Sequence, residues 1–214
     1  PVRLIESGPA GGAVFAANIA VRHNLRKVLS FDMGGTTAKI CLINKHTPNT
    51  SRVFEVARSY RFKKGSGMPI SIPVIDMVEI GAGGGSIATI DTMNQLRVGP
   101  KSSGSFPGPV CYGNSTEEPT VTDADLVLGK LDPENFAGGK IKLKLDPTIE
   151  VLNDKIATPL STDVETAAFG LTEVVDENMA NAARVHAVEN GEDLSEYTMV
   201  AFGGAAPLHA SRLC

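Results

Sequence analysis

Two short apolar runs, Val28-Leu29-Ser30-Phe31 and Ile40-Cys41-Leu42-Ile43, flank the turn Asp32-Met33-Gly34-Gly35-Thr36-Thr37. Apolar, β-branched and aromatic runs bounded by glycine read as strands, so residues 27–43 predict a strand, a glycine turn and a second strand. The same rhythm returns at 70–80, an apolar region broken by Pro73, which leads through Gly81-Ala82-Gly83-Gly84-Gly85-Ser86 into Ile87-Ala88-Thr89-Ile90. Residues 54–61 alternate apolar and polar positions, as a half-buried strand does, and 63–67 read as a basic flexible loop. A last strand is expected at 196–202.

Helical patterns lie between these runs. Ser7-Gly8-Pro9-Ala10-Gly11-Gly12 predicts a glycine-rich loop that turns into an Ala-rich helix, with Ser7 as its N-cap. Thr120 to Gly129 predicts a short N-capped helix that stops at a glycine. From 163 to 190, Ala167, Leu171, Val174, Val175, Met179, Ala182, Ala183 and Val185 recur at helical spacing, with Gly191 as the stop. The three prolines within 99–113 predict a loop, and Lys140-Ile141-Lys142-Leu143-Lys144 a short strand. Gly203-Gly204-Ala205-Ala206-Pro207 turns the last strand into a helix, with Pro207 at its start. Strands and helices mix throughout, so the class is α/β.

Composition changes this picture in a few places. The 214 residues suit one large domain or two small ones, and a chain that begins at Pro1 reads as a piece of a longer protein. Aromatics make up 5% with no Trp, so the core must be aliphatic. A net charge of −4 gives no general attraction to nucleic acid or an anionic membrane. No apolar run reaches membrane-spanning length and no signal peptide is visible. The three cysteines, Cys41, Cys111 and Cys214, are far apart and odd in number. They describe neither a disulfide framework nor a zinc motif, so a reducing cytoplasm is the expected setting.

The candidate chemistry starts at the first glycine turn. Glycines let backbone N–H groups approach an anion closely, and the Asp32 carboxylate is a hard oxygen ligand suited to Mg²⁺. Together they suggest a phosphate-and-metal cradle for a nucleotide such as ATP. A glycine pair between apolar runs is equally compatible with a plain hairpin turn.

Four motifs stand in order along the chain: SGPAGG at 7–12, DMGGTTAK at 32–39, IGAGGGSIA at 80–88 with PGPVCYG at 107–113 and PTVTDADLVLGKL at 119–131, and FGGAAPLHA at 202–210. As an ordered set they resemble the hydantoinase A/5-oxoprolinase family, which includes subunits of ATP-dependent acetone and acetophenone carboxylases. The resemblance spans essentially the whole chain. It implies an actin-like ATPase (ribonuclease H-like) lobe, a mixed sheet flanked by helices, in which residues 1–214 form a single hydantoinase A-type domain. The N-terminal lobe of the same chain, with an earlier phosphate loop, would lie in sequence outside these residues.

It also implies an activity: ATP phosphorylates the carbonyl oxygen of a small cyclic amide, and the C–N bond is then hydrolysed. Alternatives are a subunit of an ATP-dependent ketone carboxylase, working with a hydantoinase B-like subunit, and a nucleotide-binding switch of the actin or chaperone type. By resemblance Gly34, Gly35, Thr36 and Thr37 face the β- and γ-phosphates, and Asp32 holds Mg²⁺ or orients a water. Gly203, Gly204 and Ala205 match the adenosine-contacting turn, usually written GGAGPLHA, with Ala206 here in place of a glycine. Gly83 and Gly84 are expected to line the site, and Asp123, which matches a family TD pair, is a further catalytic candidate.

Several residues have plainer readings. Cys111 could be a nucleophile, but no His is fixed near it in sequence, and a small buried turn residue is the stronger expectation. Asp123 and Asp125 sit at a helix start, where capping is the usual role. His186 and His209 read as satisfied structural histidines.

Overall fold

The structure is a computed structural model and describes residues 7–56 and 66–214. Helix α1 (Ser7–Arg22) leads into β1 (Lys27–Met33) and β2 (Ala38–Asn44), followed by β3 (Thr47–Pro48), β4 (Thr50–Ser51), β5 (Phe54–Val56), β6 (Met68–Ile70), β7 (Val74–Ile75), β8 (Met77–Ile80), β9 (Ser86–Ile90) and β10 (Leu96–Ser102). Helices α2 (Val121–Val127), α3 (Leu145–Leu152), α4 (Thr158–Leu160) and α5 (Val164–Glu189) come next, then β11 (Thr198–Phe202) and α6 (Ala206–Leu213). The main sheet has five strands in the order β11-β1-β2-β3, with β8 also paired to β2. It is mixed: β1 and β11 are parallel, and the other pairings are antiparallel. This is the α/β class that the sequence pattern predicts, with the mixed sheet flanked by helices that the family resemblance implies.

Alternation on the strands decides which helix each face meets. Val28, Cys41 and Ile43 share one face and pack on Ala13, Ala16, Ala17 and Ala20 of α1. Those alanines recur every three or four residues, and their small side chains bring the helix close to the strands. At Gly12 the approach is tight: a methyl there would lie 2.5 Å from the Phe202 ring. The opposite face carries Leu29, Phe31, Met33, Ile40 and Leu42, which join Leu171, Val175 and Met179 of α5 in the larger core. Phe31, Met33, Ile40 and Leu42 are fully buried, each worth about 1.5–3 kcal/mol of transfer free energy.

Most predicted elements form where expected, and the differences have physical reasons. Residues 7–12 are helical rather than a loop. Pro9 falls in the first turn, where no N–H is needed, and Gly12 lies against Phe202 of the sheet, whereas Gly8 and Gly11 are exposed. Residues 96–102 form β10 although Pro100 was expected in a loop, and the register with β9 shifts between Val98 and Ser102. A proline is tolerated at such an irregularity because the ladder bond it lacks is already interrupted. No strand forms at 140–144. There Leu143 N donates to Pro133 O and Lys144 N to Cys111 O, so the segment is tied down by loops. The chain then enters α3, which the sequence reading missed although Asp146 and Pro147 mark a helix start. Of the expected strand at 54–61 only Phe54–Val56 is described; 57–65, which include most of the basic loop, lie outside the described residues.

Candidate functional site

The carboxyl ends of the parallel strands β1 and β11 lie side by side, with Asp32 opposite Phe202 in the ladder. In α/β sheets this end is where ligands bind. Both strands end here in glycine bends, and the two bends touch. Ala205 N donates to Met33 O at 3.0 Å. A methyl on Gly203 would come within 2.5 Å of Met33 O and 2.7 Å of Asp32 Oδ1, at a φ of +97°. Only glycine fits that position without strain. The bends at 34–35 and 203–204 therefore converge.

The first bend is closed by Gly34 N donating to Thr37 O at 3.1 Å. Among the described residues the N–H groups of Gly35, Thr36 and Thr37 have no acceptor, and Gly35 and Thr36 are exposed. Three adjacent unspent donors form a concavity suited to an anion. The Asp32 carboxylate, half-buried at the start of this bend, also takes no hydrogen bond among the described residues.

Space sorts the predicted glycines into two groups. Around Gly34, Gly35 and Gly204 nothing lies within 4 Å of where a Cβ would stand, so these positions border open space. Gly83 and Gly84 are buried beneath the bend instead. A methyl on Gly83 would lie 2.7 Å from Thr36 N, and Gly84 N donates to Gly34 O at 3.0 Å. Gly85 N likewise holds Gly35 O at 2.6 Å. The 81–86 turn was expected to line the site, and it underpins the 34–37 bend from behind. The methyls of Ala205 and Ala206 belong to the buried core, so the alanine at 206 takes no room from the open side of the turn.

Behind this turn stands α2. Thr122 N and Oγ1 both donate to Gly84 O at 2.8 Å. Thr120 caps the helix, and Asp123 completes the capping box. The Asp123 carboxylate is fully buried. It accepts from Thr120 N and Oγ1 at 2.8 Å, from Val110 N at 3.1 Å and from Cys111 N at 2.8 Å. With four donors around it, Asp123 holds the 107–113 loop to α2 and does not reach open space. Cys111 is fully buried, and burial, with Asp123 beside it, pushes its thiol far above the ordinary range. That environment does not make a nucleophile.

A buried ionic cluster fixes α6. His209 Nδ1 lies 2.7 Å from Asp176 Oδ1 on α5, and Nε2 lies 3.2 Å from Asp125 Oδ2 on α2. Lys130 Nζ pairs with Asp125 Oδ1 at 3.0 Å. Burial acts against the charged imidazole, but its bonds and ion pairs with the two carboxylates outweigh that and raise its pKa to about 9. His209 is thus a structural residue, as expected, although sequence gave no sign of its partners.

Sequence reasoning also passed over Lys39. It stands directly across the ladder from Asp32 on one side and Glu79 on the other, so all three share the α1 face. Its ammonium lies 2.7 Å from Thr37 Oγ1 and 3.0 Å from Glu79 Oε1. The signal was available: Lys39 lies two residues beyond Thr37, on the strand that leaves the bend.

Among the described residues no three His, Cys, Asp or Glu side chains stand together as a metal site. A Mg²⁺ ion fits here only in the way it commonly binds beside nucleotides, through one carboxylate, phosphate oxygens and water. Asp32 is the carboxylate free to take that part. A separate cleft of about 670 Å³ opens at the opposite end of the sheet, lined by Lys27, Asn44, Glu192 and Glu196, and contains none of these residues. Among the described residues no helix is long and apolar enough to cross a membrane.

Comparison with known proteins agrees with the motifs. An uncharacterized protein of Methanocaldococcus jannaschii, MJ0964, is 44% identical over all of this chain and 32% of its own length. The crystal structure of ATP-dependent caprolactamase from Pseudomonas jessenii matches at a TM-score of 0.83 and 38% identity, over 98% of this chain and 29% of that one. A nucleotide-free structure of acetone carboxylase, from work on ATP-dependent acetone carboxylation, matches at 0.82 and 29% identity, over 95% of this chain and 28% of that one. The chain therefore spans about three-tenths of the length of these relatives. The hydantoinase/oxoprolinase family model matches residues 1–214, end to end, and the chain belongs to that family.

Proposed function

We propose that this chain is the nucleotide-gripping lobe of an ATP-dependent enzyme that opens small cyclic amides. The observation that carries the reading is the junction of two glycine bends at Met33 and Asp32, one presenting unspent backbone donors and the other an open turn. In this reading the N–H groups of residues 35–37 and the Thr36 and Thr37 hydroxyls take the β- and γ-phosphates. The Gly203-Gly204-Ala205 turn passes against the nucleoside. Asp32 holds Mg²⁺, whose charge would offset that of the phosphates, or orients the attacking water. Gly83, Gly84 and Asp123 keep the bend in place.

The chemistry follows from the substrate. An unstrained lactam carbonyl is a weak electrophile. Moving the γ-phosphoryl group to the amide oxygen releases ADP and activates the carbon. Water then adds, the C–N bond breaks as the nitrogen takes a proton, and a second water releases inorganic phosphate from the acyl phosphate so formed. Such a transfer asks for positioning and charge neutralisation rather than a covalent protein nucleophile. This suits a site with buried Cys111 and an exposed bend. A caprolactamase relative supports this substrate class, since a lactam is a cyclic amide.

A second reading keeps the nucleotide site and changes the acceptor: a ketone carboxylase subunit that works with a hydantoinase B-like partner. The acetone carboxylase match supports it. In either case the rest of the site comes from the N-terminal lobe of the same chain, in a cytoplasmic enzyme. ADP release by the full-length protein, measured over lactams, hydantoins, 5-oxoproline and ketones with and without bicarbonate, separates the readings. Stimulation by a ring without bicarbonate supports the amide hydrolase. Bicarbonate-dependent turnover of a ketone supports the carboxylase. Slow turnover indifferent to all of them supports a nucleotide switch.

A further inference from the structure

We infer that Lys39 is a built-in counter-ion for the outermost phosphate of the bound nucleotide, steadied by Glu79 and Thr37. The inference rests on the nucleotide reading of the glycine bends and adds to it a residue and a specificity. Three observations carry it.

The first is place. At the carboxyl end of β1 the strands run β11, β1, β2, β8, and Phe202, Asp32, Lys39 and Glu79 occupy one row across them. A nucleoside held at the turn after β11 puts its phosphates across Asp32 toward β2. Lys39 lies two strand spacings along that line, about 10 Å from β11. That is the side on which the last phosphate ends.

The second is preparation. Lys39 is three-quarters or more buried, with 19% of its side chain exposed. An ammonium carries three donors. Two are spent, on Thr37 Oγ1 at 2.7 Å and Glu79 Oε1 at 3.0 Å, and no further partner stands among the described residues. Thr37 ends the phosphate bend, so the ammonium is fastened to the bend itself. The third is balance. Asp32 and Glu79 would otherwise set two carboxylates beside a polyanion, and a lysine between them reduces that repulsion. Glu79 is itself 53% exposed, so its pairing with Lys39 contributes little to folding, and stability alone gives no reason for the arrangement.

The test compares ADP with the non-hydrolysable β,γ-imido analogue of ATP, both titrated calorimetrically into the full-length protein with Mg²⁺. Lys39→Met is expected to weaken the analogue by about tenfold to a hundredfold, the range of one charge-assisted hydrogen bond, and ADP by less than about threefold. Lys39→Arg, which keeps the charge, is expected to restore much of the preference. Glu79→Gln loosens the tether and is expected to give a smaller loss in the same direction, and it decides the matter if Lys39→Met does not fold. Equal weakening of both nucleotides, or none, overturns the inference. A wild-type protein that binds neither nucleotide overturns the proposed function as well. Wild-type binding that Gly203→Val abolishes and Lys39→Met spares overturns the role of Lys39 alone.

Discussion

Gly203 is pressed against Asp32 so closely that a single methyl group on the glycine would stand 2.7 Å from the carboxylate oxygen. Asp32 and Gly203, 171 positions apart in the chain, are thereby locked into one surface, and the backbone at Gly203 takes a positive φ to do so. The fit makes the site a property of the sheet, because β1 and β11 must pair in register for it to exist.

The two groups of glycines predict two kinds of variant. Gly203→Ala and Gly83→Ala should each lower stability by about 1–3 kcal/mol, since one strains the backbone and both drive a methyl into main-chain atoms. Gly34→Ala and Gly204→Ala meet open space and should change stability by no more than about 0.5 kcal/mol while weakening nucleotide binding. Chemical denaturation and calorimetric titration of all four variants check the division.

Asp32→Asn should leave the fold intact, because the carboxylate takes no hydrogen bond among the described residues. Substrate-stimulated ADP release should fall on the order of a hundredfold or more, the scale of losing one preorganised electrostatic contact. An Asn variant that retains full turnover, measured at saturating Mg²⁺ and ATP, would rule out both roles proposed for this residue.

Asp123→Ala should be far more damaging to folding than Asp32→Asn. It strips the acceptor from Val110 N, Cys111 N, Thr120 N and Thr120 Oγ1, and each orphaned buried donor costs about 1–3 kcal/mol. Freed from α2, the 107–113 loop should also expose Cys111. Alkylation of Cys111 under native conditions, slow in the wild type and fast in the variant, reads that out alongside the unfolding midpoint.

His209 should make stability depend on pH in the alkaline direction. Its pKa is raised from 6.5 to about 9 in the folded protein, so the charged imidazole stabilises fully below about pH 6.5. That contribution, on the order of 3 kcal/mol, is lost as the pH climbs through 9. The thermal midpoint should fall between pH 7 and 10. In His209→Gln it should start lower and lose this slope. An unchanged slope in the variant would show that other groups set it.

The local sequence was enough for the strand-turn-strand at 27–43, the long helix at 163–190 and the glycine turn after β11, because each depends on contacts within a few residues. It was also enough for the family, through motifs that keep their order. Local pattern could not say what each glycine is for. Gly34 and Gly83 look alike in sequence, yet one borders open space and the other lies under Thr36, and only the packing of one bend upon another makes them different. The same holds for Asp32 and Asp123: both carboxylates stand at a turn, and burial with four donors gives the second a structural task. Lys39 acquires its place from the register of β1, β2 and β8, and His209 from three helices that meet only in the folded chain. Short-range preferences shape the backbone, whereas the environment of a side chain is set by distant segments that the fold brings beside it.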